Sequence, residues 1–116
     1  VNELNGGAFI SHVQHPGVVA LIVFYADWCA PSRLQISTLD SLTKIFGTKV
    51  VIGQVNVDLD PSLADQFQAR TLPTSLLMAG GELVEILPGY QQEEFLKQYL
   101  DQLLESASQE APPSSS

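Results

Sequence analysis

Two strand-length apolar runs with a helical pattern between them restrict the folds open to this chain more than any other feature. Residues 18–26 are nine consecutive apolar residues, rich in β-branched and aromatic side chains. Such a run suits a strand buried on both faces. Residues 50–57 form a second apolar run of strand length. Between them Leu34, Ile36, Leu39, Leu42, Ile45 and Phe46 keep roughly helical spacing over residues 31–46. Pro31 is tolerated in a first turn and Gly47 supplies the stop. Strand, helix and strand of this kind predict a βαβ unit with parallel strands and a right-handed crossover.

The rest of the chain adds to that unit. Residues 1–4 predict a short first strand, and Asn5-Gly6-Gly7 a turn into a brief helix over 8–13 with Phe9 pointing inward. Residues 15–17 read as a turn, residues 58–62 as punctuation, and residues 62–67 as a short helix burying Leu63, Ala64 and Phe67. Residues 75–78 and 82–87 read as antiparallel strands joined at Gly80-Gly81, with Pro88-Gly89 ending the second. Over residues 91–104, Phe95, Leu96, Tyr99, Leu100, Leu103 and Leu104 fall on one helical stripe, read as core. One domain over residues 1–105 follows, with residues 106–116 expected as a disordered Ser/Pro-rich tail or linker stub.

Composition removes several function classes. Thirteen acidic against five scattered basic residues give a formal net charge of −8, which argues against nucleic acid as a partner. The longest apolar run falls far short of the roughly 18–20 residues that span a bilayer, so no membrane association is expected. Cys29, His12 and His15 lack metal-ligand spacing, and neither a metal nor a cofactor is implied. A phosphate-binding reading of Gly80-Gly81 fails for want of the strand, glycine pattern and helix it requires. The expected protein is a monomer in the cytoplasm, although a chain beginning at Val1 is compatible with a removed leader, tag or upstream domain.

The single cysteine sits in Tyr25-Ala26-Asp27-Trp28-Cys29-Ala30-Pro31-Ser32-Arg33, where the first buried strand gives way to a helix. A thiol there faces unpaired backbone N–H groups and the positive end of the helix dipole, both of which favour thiolate over thiol. Cys29 is therefore the candidate nucleophile. Ser32 stands where a Cys-x-x-Cys motif would place its second sulfur. One thiol can attack, and nothing local can resolve.

Parallel βαβ, a helix, a β-hairpin and a closing helix, with the Trp-Cys-x-Pro segment at the first strand-to-helix junction, resemble the thioredoxin family over nearly the whole domain. Three separated features carry the resemblance: residues 26–33, then Thr71-Leu72-Pro73-Thr74, then Gly81-Glu82 with Pro88-Gly89 downstream. The resemblance implies a thioredoxin fold, a central mixed β-sheet flanked by helices on both faces. It implies that the Leu72–Pro73 peptide is cis and packs beside Cys29. It also implies that an extended substrate segment pairs with the neighbouring backbone, making Thr71, Leu72 and Pro73 substrate contacts. Trp28, Ala30, Pro31 and Gly89 would border the same shallow surface.

In dithiol members of the family the first cysteine attacks a target disulfide and the second resolves the mixed disulfide. Cys29 matches the attacking position and Ser32 the resolving one, where a hydroxyl could still donate a hydrogen bond to the Cys29 sulfur. The family's buried carboxylate and adjacent lysine fall here on Val23 and Gln54, and its helix-kinking proline on Ser37, which predicts a straighter helix. Three readings stay open. In the first, a monothiol thiol–disulfide oxidoreductase uses Cys29 to attack a protein or glutathione disulfide. An external thiol such as glutathione, or a disulfide reductase, then resolves it, leaving a weak stand-alone reductase. In the second, the chain is a redox-silent binding or chaperone-like module. The third is a dithiol thioredoxin whose resolving cysteine has been replaced by Ser32.

Overall fold

The computed structural model describes residues 2–13 and 15–110. In chain order the elements are β1 (Asn2–Glu3), α1 (Gly6–Val13), β2 (Val19–Tyr25), α2 (Ala30–Phe46), a 3-10 turn (Gly47–Lys49) and β3 (Val51–Asn56). Then follow α3 (Pro61–Gln66), β4 (Thr74–Ala79), β5 (Glu82–Pro88) and α4 (Glu93–Glu110). They build a five-stranded sheet of order β1-β3-β2-β4-β5. The β1–β3 and β3–β2 pairs are parallel, and the β2–β4 and β4–β5 pairs antiparallel. The expected βαβ unit is therefore β2-α2-β3, and the sheet is mixed.

Side-chain alternation along β2 explains why that run had to be apolar throughout. Ala20, Ile22 and Phe24 face a core with Phe9 and Val13 of α1 and Leu63 and Ala64 of α3. Val19, Leu21 and Val23 face a second core with Leu39, Leu42 and Phe46 of α2 and Leu96 and Leu100 of α4. Each large side chain fully buried in these layers contributes about 1.5–3 kcal/mol of transfer free energy. Phe67 closes the first core, with ring centroids 5.3 Å from Phe9 and 6.2 Å from Phe24. Gly80 and Gly81 take φ values of 63° and 83°, and two consecutive positive φ values are what a tight two-residue hairpin turn demands.

Three sequence expectations need correction. Leu34, Ile45 and Phe95, placed on apolar stripes by their spacing, are exposed, because each stripe is wider than the strip of sheet available to it. The last helix does not end near Leu104: α4 continues through residues 106–110 assigned to the tail. Nothing in Ser-Ala-Ser-Gln-Glu breaks a helix, and Ala107 packs against the second core. The remaining tail residues, 111–116, and the first-strand residue Val1 lie outside the described residues. Finally, α1 begins two residues early, with the Asn5 side chain accepting from Ala8 N–H at 3.2 Å as an N-cap does.

Candidate active site

The buried β2 strand delivers its C-terminal end, and with it Cys29, to one edge of the molecule. Ala26 is fully buried; Asp27, Trp28 and Ala30 are exposed and Cys29 half-buried. Cys29 takes extended dihedrals (φ −107°, ψ 109°) as the N-cap of α2, and Pro31 stands in that helix's first turn. The Cys29 backbone accepts from Arg33 N–H at 3.1 Å, the first helical bond, so the side chain is carried at the helix mouth. Its thiol donates to Leu72 O at 3.7 Å, and the Leu72–Pro73 peptide is cis. Residues 43 apart in sequence thus meet at the sulfur.

The segment beyond Cys29 is held from two directions. Gly89 N–H donates to Pro73 O at 2.7 Å, fixing the end of β5 against the cis peptide, and Gly89 itself has φ +85° with open space where a Cβ would project. The Thr74 hydroxyl donates to Thr71 O. None of the hydrogen bonds among the described residues engages the Leu72 N–H. Thr71 is exposed, Leu72 half-buried and Pro73 buried, so the unengaged Leu72 N–H lies next to the carbonyl that meets the thiol.

Trp28 is 71% exposed and does not pack into the core. Its indole N–H donates to Asp58 Oδ2 at 2.9 Å, and Asp58 is positioned by its own N–H to Asn56 Oδ1 at 2.9 Å. The neighbouring Leu59 is 79% exposed. Trp28 on the β2–α2 loop and Leu59 on the β3–α3 loop are thus two large apolar side chains left exposed on loops that the Trp28–Asp58 bond ties together. The Asp58–Leu59–Asp60 stretch reads in the sequence only as punctuation. Its Asp60-Pro61 pair was nevertheless a legible helix start: Asp60 caps α3 through Leu63 N–H at 3.2 Å and accepts Gly6 N–H at 3.0 Å.

Ser32 does not occupy the role expected of it. Its side chain is fully buried, and its oxygen accepts from Ala26 N–H at 3.2 Å. The single hydroxyl hydrogen is shared between Ala26 O and Cys29 O, each 3.0 Å away. The hydroxyl is consumed by the strand-to-helix turn, because a buried backbone N–H there needs an acceptor, and it is not aimed at the sulfur as a cap. The thiol pairs with Leu72 O instead.

Val23 and Gln54 are direct cross-strand neighbours between β2 and β3, and Ser75 faces Val23 from β4. Val23 is fully buried, while the Gln54 amide turns away to donate to Glu3 Oε1 at 2.8 Å. The Tyr25 hydroxyl donates to the same carboxylate oxygen at 2.9 Å. Burial first, then the bond to Glu3 and that carboxylate's charge, hold the Tyr25 phenol above its ordinary titration range. Ser75 Oγ is buried with no partner among the described residues.

Sequence reasoning missed a buried amide. Gln35, fully buried one turn past Ser32, accepts Gln91 N–H at 2.6 Å and donates to Gln91 O at 3.0 Å. The same amide nitrogen lies 3.2 Å from Thr38 Oγ1. No motif announces it; a glutamine among apolar helix positions was the one available signal. Nor do the candidate residues line a cleft of about 440 Å³ on the protein surface. That cleft lies at the other end of β2, between Val19, Gly80, Leu83, Leu103 and Ala107.

Comparison with known proteins gives one consistent answer. A family model described as Thioredoxin matches residues 1–102. A thioredoxin of Alicyclobacillus acidocaldarius is 35% identical over 85 residues, covering 73% of this chain and 81% of its own. Thioredoxin 1 of a Nostoc species is 28% identical over 102 residues, covering 88% and 95%. The M-type chloroplastic thioredoxin of Spinacia oleracea is 30% identical over 89 residues, covering 77% of this chain and 49% of its own.

Proposed function

Because the chain belongs to the thioredoxin family, we propose that it is a thiol–disulfide exchange protein of monothiol type, acting on protein disulfides through Cys29. The observation that carries this reading is the juxtaposition at one sulfur. A thiol at the mouth of α2 touches Leu72 O, and the adjacent Leu72 N–H is unengaged among the described residues. An extended substrate pairing with that backbone would bring its disulfide onto the sulfur.

In the exchange, the Cys29 thiolate attacks one sulfur of the substrate disulfide. A new S–S bond forms, the substrate's bond breaks, and the departing sulfur leaves with the electron pair and takes up a proton. Ser32 offers no second sulfur, and its hydroxyl is committed to Ala26 and Cys29 backbone. Release therefore needs an external thiol such as glutathione, attacking the mixed disulfide at Cys29. The cytoplasm, with its reduced thiol pools, is the proposed location. Thr71, Leu72, Pro73 and Gly89 would hold substrate on one side, with Trp28, Ala30 and Pro31 on the other.

Against the idea of an ordinary dithiol protein with a substituted serine stands the pair Val23 and Gln54. They are adjacent across β2 and β3, where the acid and lysine of a dithiol active site would lie. The rival reading, a redox-silent binding module, draws on the exposed Trp28 and Leu59 surface, which needs no sulfur to bind a partner. A mixed-disulfide trap separates the two. Tagged protein and a Cys29→Ala control are incubated with lysate and compared on reducing and non-reducing gels. Adducts released by dithiothreitol and lost in Cys29→Ala support exchange. Partners retained by Cys29→Ala without covalent linkage support the binding module.

A further inference from the structure

We infer that Asn5 is a modification site: its side-chain amide is open to deamidation by the Gly6 backbone nitrogen, and the Asp60 carboxylate holds that nitrogen back. Asn5 and Gly6 take no part in the exchange proposed for Cys29. Asparagine followed by glycine is the pair most prone to this reaction, because no Cβ shields the attacking nitrogen. Asn5 is exposed and Gly6 half-buried, so water reaches the pair. Packing does not explain the glycine, since a Cβ built on Gly6 would meet nothing within 4 Å. In the reaction, Gly6 N gives up its proton and attacks Asn5 Cγ. A C–N bond forms, the Cγ–Nδ2 bond breaks, and the side-chain nitrogen leaves as ammonia, closing a succinimide ring. Water then opens the ring at either carbonyl, giving aspartate or, with the main chain rerouted through Cγ, isoaspartate.

The folded chain opposes each part of that step. Gly6 N–H donates to Asp60 Oδ2 at 3.0 Å, across 54 positions of sequence. A carboxylate on that proton holds it in place and disfavours the negative charge that must develop on the nitrogen. Asp60 is itself keyed to the start of α3, its other oxygen accepting from Leu63 N–H and the Ser62 hydroxyl, each at 3.2 Å. The electrophile is tied down as well, with Asn5 Oδ1 accepting Ala8 N–H at 3.2 Å and Asn5 O accepting Phe9 N–H at 2.6 Å. What these bonds protect is the corner between β1 and α1. Leu4 N–H pairs with Gln54 O at 2.8 Å just before it, and Leu4 and Phe9 are buried in the first core on either side. An isoaspartate would lengthen the main chain at that corner.

Ageing the purified protein at mildly alkaline pH beside a synthetic peptide of residues 2–9 tests this. Conversion at Asn5 is read by peptide mass spectrometry and by isoaspartyl methyltransferase labelling. The peptide is expected to deamidate at least about tenfold faster than the folded protein, the factor that one hydrogen bond to a charged group supplies. Asp60→Asn keeps a capping acceptor for Leu63 N–H but leaves none for Gly6 N–H, and the variant should deamidate about tenfold faster than the parent. Adding Gly6→Ala to Asp60→Asn should bring the rate back near that of the parent, because a Cβ then shields the attacking nitrogen. A folded protein that converts as fast as the peptide, or a peptide that does not convert at Asn5, overturns the inference, and that comparison needs no variant to fold. So does an Asp60→Asn rate at or below the parent's: an equal rate means that the carboxylate is idle, a lower one that it draws the proton off. Acceleration that survives Gly6→Ala in full would trace to general loosening of the fold and overturn it likewise.

Discussion

Replacing Ser32 with alanine separates the two roles a hydroxyl could have beside a reactive thiol. The Ser32 oxygen is the acceptor for the buried Ala26 N–H at 3.2 Å, and no other acceptor for that N–H occurs among the described residues. The two carbonyls that share its hydrogen each keep a backbone partner: Ala26 O receives Cys29 N–H, and Cys29 O receives Arg33 N–H. Ser32→Ala therefore orphans one buried donor, at a cost of about 1–3 kcal/mol. For a domain of this size that lowers Tm by roughly 5–15 °C. Thermal unfolding followed by circular dichroism measures it. The rate of Cys29 with a small disulfide reagent, taken at a temperature where both proteins are folded, should stay within about twofold of the parent, since the hydroxyl does not address the sulfur. An alanine variant as stable as the parent would refute the backbone role. A variant whose thiol slows by an order of magnitude would refute the claim that Ser32 leaves the sulfur alone.

Asp60→Ala should cost about 2 kcal/mol, since it removes an N-cap from α3 and a carboxylate acceptor from Gly6 N–H; chemical denaturation reads this directly. The Tyr99 phenol is held above its ordinary range, first by its 2.7 Å bond to Glu85, then by burial and by that carboxylate's charge. A raised folded pKa stabilises fully below the unfolded value of about 10 and is lost as pH rises through the folded value. Glu85→Gln should therefore move the tyrosine absorbance titration down and flatten the loss of stability above that pH; an unchanged titration would count against the contact. Val23→Asp places a carboxylate in a fully buried position between Gln54 and Ser75. It should destabilise by several kcal/mol at neutral pH and less in acid, because burial raises the acid's folded pKa and favours its neutral form. Denaturation at two pH values decides that case.

Fold and the place of the thiol were legible because each rests on a local pattern. Continuous apolar β2, helical spacing in α2 and Gly80-Gly81 each impose one backbone geometry, and the Trp28-Cys29-Ala30-Pro31 segment places the sulfur where strand becomes helix. What was not legible depends on long-range geometry. Leu34 and Phe95 have correct helical spacing, yet exposure is decided by how much sheet lies beneath each helix. Leu59 and Asp58 look like loop filler until Trp28 reaches across 30 positions to bond Asp58. Gln35 carries no motif because its partner is a backbone segment and not a side chain. The Ser32 hydroxyl departs from expectation for a related reason: the sequence shows a sulfur three residues away but not that the buried Ala26 N–H takes the hydroxyl as its acceptor.

The positions of the departures bear on how the site came to be arranged. Val23 and Ser32 are fully buried on the interior side of the site, and Gln54 is the cross-strand neighbour of Val23 on β3. The outer side retains every element that presents a thiol: the N-cap geometry of Cys29, its contact with Leu72 O, the cis peptide and the Gly89 anchor. A single change from cysteine to serine would have left an ionisable pair behind it, and a buried acid without a resolving thiol is a desolvation cost with no chemical return. Here the interior is instead apolar at Val23, and its amide, Gln54, turns outward to Glu3. Restoring one cysteine should then fail to restore a dithiol protein. Ser32→Cys is expected to leave catalytic insulin reduction near background, whereas an ordinary reductase rate in that variant would mean that the acid and lysine positions were never needed.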